Sequence, residues 1–381
     1  MKNYMLRIII LALFLKLAYF SFSLLVPKFN PKYETACTLD EFLYIFKKND
    51  AYWYEKIAEK GYPKITNDLD LGYSIGPYFK QSEWAQFPLY PLMAGGLEKI
   101  FGLSFDQSAF IISLVFSLSS FIGFFLLCLY LFRLDDKTAF FCTLVFMLFP
   151  FHYYFSVYYT EALYFSFMAF AFISLNRKIY WLASLLLIPL TLIRPNGTVT
   201  VLPLFVYFIE TEGGFKLFWK RLLGADKKLM VRSALFFSAP FALAIYCIYQ
   251  KYMTGHYFAY VMAQYGWYKE FMIPFLGLFR RGDLTTQFNS VYIILVMVLA
   301  VFLWKKLPLS MNLLIWLSIL LPMTSGSVAC MPRYVSVIFP FTVYIGLFLA
   351  KMKFRMVICG ILFLLQLLVF YPWLLSHPFS Y

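Results

Sequence analysis

Residues 106–132, DQSAFIISLVFSLSSFIGFFLLCLYLF, decide the fold class of this chain. After Asp106 the run contains no charged residue, and about 20 apolar residues are enough for a helix to cross the hydrocarbon core of a bilayer. The whole chain has the same character, since 62% of its 381 residues are hydrophobic and only 14% are charged. Soluble domains carry about a quarter charged residues, so the composition predicts an integral membrane protein built from helices.

Ten further apolar segments are bounded by charged and turn residues. They lie at 5–26, 138–151, 160–175, 179–193, 197–210, 233–250, 287–304, 309–324, 334–350 and 355–372. Several are shorter than a full crossing, so the pattern predicts an all-α polytopic bundle of about 9 to 11 transmembrane helices. We interpret residues 1–381 as a single domain, with a large outer loop at 27–105 containing interfacial helices and a basic cytoplasmic loop at 211–232. The first segment carries Lys16 and lacks a small-residue cleavage site, so we expect a retained anchor.

The basic residues are distributed unequally between the two sides of this layout. With the N-terminus in the cytoplasm, the cytoplasmic side carries a net charge of +12 and the other side +1. Short cytoplasmic loops of membrane proteins are enriched in Lys and Arg, so topology accounts for the overall net charge of +14. We expect no nucleic-acid partner, and we interpret the basic loop as contacting anionic membrane lipids.

Four stretches with polar residues fall on the outer side in this orientation. They are the 27–105 loop, the turn from His152 to Glu161, Arg194 to Asn196, and the turn from Ser325 to Arg333. Ionisable residues at membrane depth are costly and are usually functional. Acids, arginines and a histidine that converge at one non-cytoplasmic level therefore predict an active site there.

The outer loop contains a predicted helix at residues 49–63, NDAYWYEKIAEKGYP. Asn49 or Asp50 can cap its start, and the glycine followed by proline signals its end. Its Trp and Tyr residues are typical of a helix that lies in the membrane interface. Asp50 has two interpretations: an N-cap that satisfies free backbone amides, or a catalytic carboxylate beside aromatic residues, such as Trp53 and Tyr54, that can stack on a sugar.

Five short motifs follow one another along the chain. They are NDAYWY at 49–54 with Ile57-Ala58 and Gly61-Tyr62, FPLYP at 87–91, YYTEAL at 158–163, RPNG at 194–197 and MPRY at 331–334. This series resembles the motifs of the PIG-V-like family (GPI mannosyltransferase II), in which Trp usually stands in the place of Asn49. Five motifs in the family's order span nearly the whole chain, so the resemblance is more specific than any single motif.

The resemblance implies a polytopic enzyme of the GT-C class, which takes a sugar from a polyprenyl-phosphate donor and has an acidic residue in its first outer loop. Asp50 takes the place of that acid, and the acceptor would be a glycan or glycolipid on the non-cytoplasmic face. The size and compact loops look more like bacterial relatives, so we expect a bacterial inner-membrane protein whose site faces the periplasm or cell exterior. The donor sugar stays open between mannose, glucose, arabinose and a uronic acid.

A sugar-transfer site needs a carboxylate to accept the acceptor proton and cations to hold the donor phosphate. Asp50 is predicted to be the general base of an inverting displacement. Arg194 and Arg333 are predicted to bind the lipid phosphate, and the alternative is that both are interfacial anchors. Glu161 either orients an acceptor hydroxyl, pairs with an arginine, or is a simple acid at a helix N-terminus. The other candidates for binding donor or acceptor are Trp53, Tyr54, His152, Asn196 and Tyr334. For His152 the alternative is a structural role within its aromatic turn.

Asp68 and Asp70 form an Asp-x-Asp pair in a polar stretch of the outer loop. Such carboxylates can bind a divalent metal, but so short a pattern also fits a solvated turn, and we expect no cofactor. The competing function is a lipid-glycan flippase or transporter without transferase activity. A transporter should place ionisable residues at mid-membrane in repeated broken helices, whereas in this layout they collect at one face.

Overall fold

The structure is a computed structural model that describes residues 1–24, 39–72, 80–279 and 282–377. Within those ranges the chain forms α-helices and short 3₁₀ turns and no strand. The helices are α1 (Lys2–Leu24), α2 (Leu39–Leu43), α3 (Asp50–Lys60), α4 (Leu89–Phe101), α5 (Phe105–Tyr130), α6 (Asp136–Leu148), α7 (Glu161–Asn176), α8 (Tyr180–Ile193), α9 (Pro195–Thr211), α10 (Phe215–Leu223), α11 (Lys227–Ala234), α12 (Ser238–Thr254), α13 (Ala259–Met262), α14 (Leu284–Leu303), α15 (Leu309–Met323), α16 (Met331–Ser336), α17 (Phe339–Ala350) and α18 (Arg355–Leu374). The predicted all-α polytopic membrane fold is confirmed.

Each of the eleven apolar segments contains helix, and two of them, 233–250 and 334–350, extend over parts of two helices. Five helical stretches among the described residues are long and apolar enough to cross a membrane. They are Lys2–Leu24, Phe105–Tyr130, Lys227–Thr254, Leu284–Lys306 and Arg355–Leu374, where the third joins α11 and α12 and the fourth extends α14 through 3₁₀ turns. The other six segments form shorter helices, from the 12 residues of α17 to the 17 residues of α9. At about 1.5 Å per residue these span roughly 18 to 26 Å, which is less than the hydrocarbon thickness of about 30 Å. Length alone therefore supports five of the predicted crossings.

The predicted start of the apolar helix at 334–350 is wrong. Residues Met331–Ser336 form the separate helix α16, and α17 begins only at Phe339. Pro340 lies in the first turn of α17, where its missing amide hydrogen costs no helical hydrogen bond. The MPRY motif therefore sits on a short helix of its own.

Helix α7 occupies the centre of the bundle, where it packs against α5, α8 and α9. Helices α8 and α9 meet closely because residue 197 has no side chain. A Cβ atom on Gly197 would lie 1.8 Å from the carbonyl oxygen of Leu190. This close approach draws the junction that carries Arg194 towards the start of α7.

The helix predicted at residues 49–63 is present as α3, which ends before Gly61, a residue with a φ of +71°. Helix α3 packs against α4, and a Cβ on Gly95 of α4 would lie 2.9 Å from the carbonyl oxygen of Ala58. Residues 27–38 and 73–79 of the predicted outer loop lie outside the described residues, as do the last two residues of the first predicted segment. The two packed helices hold Asp50 at the end of the bundle that the charge pattern predicts to face outward.

Candidate functional site

Four charged residues from distant parts of the chain form one hydrogen-bonded cluster. Glu161 Oε1 accepts hydrogen bonds from Arg194 Nη2 and from Arg333 Nε, each at 2.5 Å. Arg333 Nη1 donates to Asp50 Oδ2 at 2.6 Å. We call Asp50, Glu161, Arg194 and Arg333 the acid–arginine cluster. The convergence expected from the sequence is present, and Glu161 pairs with both arginines.

Each member of the cluster lies at or next to the start of a helix. Asp50 and Glu161 are the first residues of α3 and α7, Arg194 immediately precedes α9, and Arg333 lies in the first turn of α16. Free backbone amides give a helix start a partial positive charge, which favours the ionised carboxylates. Arg194 and Arg333 add the positive charges of their guanidinium groups, which bind the same carboxylates.

The two short helices that carry Asp50 and Arg333 each follow a residue in an unusual backbone conformation. Asn49 has a φ of +49° and Cys330 a φ of +63°. Positive φ is uncommon and costly for residues other than glycine, and it persists where surrounding contacts enforce it. At Asn49 one such contact is the hydrogen bond from Nδ2 to the hydroxyl of Tyr159, at 2.9 Å. The sharp turns aim Asp50 and Arg333 at each other.

The structure decides between the alternative interpretations of these side chains. Asn49 occupies the N-cap position of α3 but makes no side-chain capping bond, and the Asp50 carboxylate is bound to Arg333. Asp50 is therefore not a helix cap. Arg194 and Arg333 are 8% and 9% exposed and both contact Glu161. They are buried ion-pair partners, since interfacial anchors would extend to lipid headgroups.

Aromatic rings surround both guanidinium groups. The Cζ atom of Arg333 lies 4.1 Å from the ring centre of Tyr159, and that of Arg194 lies 5.4 Å from the ring centre of Tyr164. The Tyr159 hydroxyl also accepts a hydrogen bond from Trp373 Nε1 at 3.3 Å. Cation–π contacts strengthen away from water, so these rings keep the arginines in place while excluding solvent.

The electrostatic environment keeps Asp50 ionised. Burial alone would raise the pKa of the Asp50 carboxyl, but the charge and hydrogen bond of Arg333, with the charges of Lys269 and Arg194, hold it below its ordinary value. The pKa of Lys269 is raised, mainly by Tyr334 and with a contribution from Asp50. Lys269 therefore stays positively charged beside the cluster.

Two buried atoms of the cluster have no hydrogen-bond partner among the described residues. They are Nη1 of Arg194, a donor, and Oε2 of Glu161, an acceptor. Leaving such groups unpaired costs about 1 to 3 kcal/mol each. The cluster therefore retains the capacity to bind a polar ligand, with a cationic donor at Arg194.

A second ion-pair group fixes the position of α3. Lys47 Nζ donates to Glu55 at 2.6 Å and to Asp106 at 3.0 Å. Burial would lower the pKa of Lys47, but hydrogen bonds and charges from Glu55 and Asp106 raise it instead. The lysine thereby joins the segment before α3 to α3 itself and to the start of α5.

The other predicted binding residues lie at different distances from this chemistry. Trp53 packs edge-to-face on Trp267, with ring centres 5.4 Å apart, and the Tyr54 ring packs on another tyrosine. Tyr334 is half-buried beside Arg333 in α16. Asn196 instead lines a small cleft between α9 and α15. Tyr54 and Tyr334 border the cluster, whereas the contacts of Trp53 and Asn196 lie elsewhere.

His152 does not join the acid–arginine cluster, contrary to the prediction. Its side chain is 2% exposed, and its Nδ1 pairs with the backbone carbonyl of Phe146. The rings of Phe146, Phe149 and Phe155 pack around it. His152 is a packing residue in this structure, because its ring is enclosed by aromatic neighbours.

The Asp-x-Asp pair is divided between two other partners. Asp70 accepts a hydrogen bond from Lys80 at 2.5 Å, and Asp68 Oδ1 lies 2.8 Å from Nε2 of His256. Across the described ranges, no three His, Cys, Asp or Glu side chains lie together in a way that could hold a metal ion. Contacts with Lys80 and His256 at the surface account for both carboxylates.

Sequence reasoning missed two residues of the site. The Thr160 hydroxyl accepts a hydrogen bond from Arg194 Nε at 3.1 Å, and its position directly before Glu161 was a usable signal. Lys269 lies in an aromatic stretch between α13 and α14 that has no recognisable pattern. No protein-family model and no curated protein matches this chain.

Proposed function

We propose that this protein is an integral membrane glycosyltransferase of the GT-C class. It moves a mannosyl or similar hexosyl residue from a polyprenyl-phosphate donor to a lipid-linked glycan or other acceptor on the non-cytoplasmic face. The observation that carries the proposal is the acid–arginine cluster, because it combines an accessible carboxylate with buried cations. Four of the five motifs that resemble the PIG-V-like family each supply one member of this cluster.

Asp50 is the better general base of the two acids. Its side chain is 26% exposed, whereas that of Glu161 is fully buried between two arginines. An acceptor hydroxyl can therefore approach Asp50. The lowered pKa of Asp50 keeps its carboxylate deprotonated at neutral pH, which is the form that accepts a proton. Glu161 acts by holding Arg194 and Arg333 in place.

The arginines suit the phosphate of the donor. Arg194 has a buried donor atom, Nη1, with no partner in the described part of the chain. Arg333 binds the Asp50 carboxylate through a single hydrogen bond from Nη1, and guanidinium groups can bind phosphate oxygens through two parallel hydrogen bonds. A phosphate placed between the two would receive charge-assisted hydrogen bonds in a site with little water.

The proposed reaction balances in atoms and charge. The acceptor oxygen forms a bond to C1 of the sugar while the bond from C1 to the phosphate oxygen breaks. The hydroxyl proton goes to Asp50, and the electron pair of the broken bond stays on the polyprenyl phosphate. The phosphodiester monoanion thus becomes a phosphate monoester dianion, and attack opposite the leaving group inverts the configuration at C1. Cations near the phosphate stabilise the charge that develops.

The position of the cluster favours this proposal over a flippase or transporter. Its members lie at helix starts at one end of the bundle, whereas transport sites are typically near the bilayer midplane. The excess of Lys and Arg on the opposite side supports an outward-facing site. We propose the bacterial inner membrane as its location, with the cluster facing the periplasm or cell exterior.

Substitution of the proposed base tests the function directly. Purified Asp50→Asn in proteoliposomes should transfer sugar from radiolabelled polyprenyl-phosphate mannose, glucose or arabinose about 10² to 10⁴ times more slowly than the parent. Asp68→Asn is the matched control, because that loop carboxylate pairs only with His256 in the described residues, and it should retain full activity. Equal rates for Asp50→Asn and the parent would refute the proposal.

A further inference from the structure

The segment between α12 and α14 links α3 to the chain just beyond α15. On one side the Trp267 ring packs on Trp53 of α3, three residues after Asp50, with ring centres 5.4 Å apart. On the other side the Met272 amide donates to the carbonyl oxygen of Thr324, at 2.7 Å, just beyond α15. Lys269 lies between these two attachments. The segment thereby holds Lys269 between the helix that carries Asp50 and the turn that leads to Arg333.

The Lys269 ammonium group has no carboxylate partner in the part of the chain that the structure describes. Its side chain is half-buried, and among the described residues no acid lies within ion-pair distance and no hydrogen bond reaches its Nζ. The two acids and two arginines of the cluster balance each other in charge. Lys269 therefore gives the site an excess of one positive charge, and a partly desolvated cation is best stabilised by an anion.

We propose that Lys269 binds the phosphate group of a lipid monophosphate and completes the anion site begun by Arg194 and Arg333. The inference rests on the proposed function for the identity of the lipid, since a polyprenyl-phosphate sugar is a phosphodiester with one negative charge. One excess cation matches one such charge. A sugar nucleotide, with two charges on its diphosphate, would leave one charge unmatched.

Lys269 also has a specific part in the transfer. The phosphate charge changes from −1 to −2 as the bond from C1 to the phosphate oxygen breaks, while the proton moves to Asp50. A fixed ammonium group near the phosphate stabilises the dianion more than the monoanion. Loss of Lys269 should therefore lower kcat as well as weaken donor binding, whereas loss of a merely structural residue would mainly lower thermal stability.

Binding of polyprenyl phosphate in detergent, measured by thermophoresis, tests the inference without relying on turnover. The parent protein should bind it about tenfold or more tightly than Lys269→Met does, which is the usual worth of a hydrogen bond to a charged group. Lys269→Arg should restore most of the affinity. Lys60→Met removes an exposed lysine at the end of α3 and should bind as the parent does.

Three further ligands identify what the lysine recognises. Polyprenol has the same tail without the phosphate, phosphatidylglycerol carries a phosphodiester on a different lipid, and inorganic phosphate has no tail. Binding of polyprenyl phosphate alone supports the inference, and equal competition by phosphatidylglycerol would overturn its specificity for a prenyl donor. Equal affinity of parent and Lys269→Met for polyprenyl phosphate would overturn the inference itself.

The outcomes also separate this inference from the proposed function. If the parent transfers sugar and Lys269→Met transfers it with unchanged kcat and donor KM, the inference fails and the transferase proposal stands. If the parent binds polyprenyl phosphate in a Lys269-dependent way but transfers none of the labelled sugars, the anion site stands and the transferase proposal fails. Thermal midpoints of all variants, measured in the same detergent, show whether each one is folded.

Discussion

Arg333 and Asp50 form a hydrogen-bonded ion pair across 283 positions of sequence, with Arg333 Nη1 2.6 Å from Asp50 Oδ2. The pair has a direct consequence for the proposed chemistry, because the carboxylate that would accept a proton is held by the guanidinium that would bind phosphate. A donor phosphate competes with Asp50 for Arg333. Donor binding would therefore release Asp50 and make it a stronger base before the acceptor reacts.

The first prediction concerns the pH dependence of transfer. A general base works above its pKa, and Arg333 holds the pKa of Asp50 below its ordinary value. For the parent, kcat/KM should therefore stay constant as the pH falls from 7 to 5. In Arg333→Gln the burial of Asp50 is no longer offset by that charge, so the residual activity should fall at a higher pH than in the parent. Arg333→Lys should keep a profile close to the parent's, and identical profiles for Arg333→Gln and the parent would contradict this.

The second prediction concerns Glu161, whose fully buried carboxylate serves two arginines. Glu161→Gln would leave both guanidinium groups without that charge, and breaking a buried ion pair from one side costs about 3 to 5 kcal/mol. Thermal unfolding in detergent should show a clearly lower midpoint. Glu59→Gln, at an exposed position on α3, should unfold at the parent temperature. A stable Glu161→Gln protein would mean that the arginines have other sufficient partners.

The third prediction concerns the contact between α8 and α9. Gly197→Ala places a methyl group against the carbonyl oxygen of Leu190, so the two helices must separate at a cost of about 2 kcal/mol or more. Because Arg194 lies at their junction, donor KM should rise together with the loss of stability. Gly360→Ala in α18 meets nothing within 4 Å and should be neutral or about 1 kcal/mol more stable. Similar unfolding midpoints for the two variants would refute the steric argument.

The fourth prediction concerns Lys47, the support of α3. Lys47→Met leaves Asp106 buried without its cation, so the unfolding free energy should fall by about 3 kcal/mol. Displacement of α3 should also reduce transfer, because Asp50 is its first residue. Lys99→Met, an exposed position on α4, provides the control for removal of a lysine. Unchanged stability in Lys47→Met would show that aromatic packing alone positions α3.

Sequence patterns located the helices and the members of the acid–arginine cluster because both have local signals. Apolar runs mark helices, and a charged residue at the edge of such a run is conspicuous, as at Glu161 and Arg194. Patterns could not separate α16 from α17, since the break at residues 337–338 lies within continuous apolar sequence. They also left His152 open between a sugar-binding and a structural role, and its contacts with Phe146 and Phe155 now favour the structural one. The position of Lys269 depends on long-range contacts of its segment, and such contacts leave no pattern in the local sequence.

The members of the cluster come from four separate stretches of sequence, so they enter the membrane one after another as the chain is synthesised. A ribosome-bound chain that has emerged as far as α9 already contains Asp50, Glu161 and Arg194, but its bridging guanidinium arrives only with α16. Until then Asp50 lacks the partner that turns it towards Glu161. Under the proposed function, the unfinished protein should therefore be inert towards lipid-linked sugars, and transfer should begin only once α16 has been inserted.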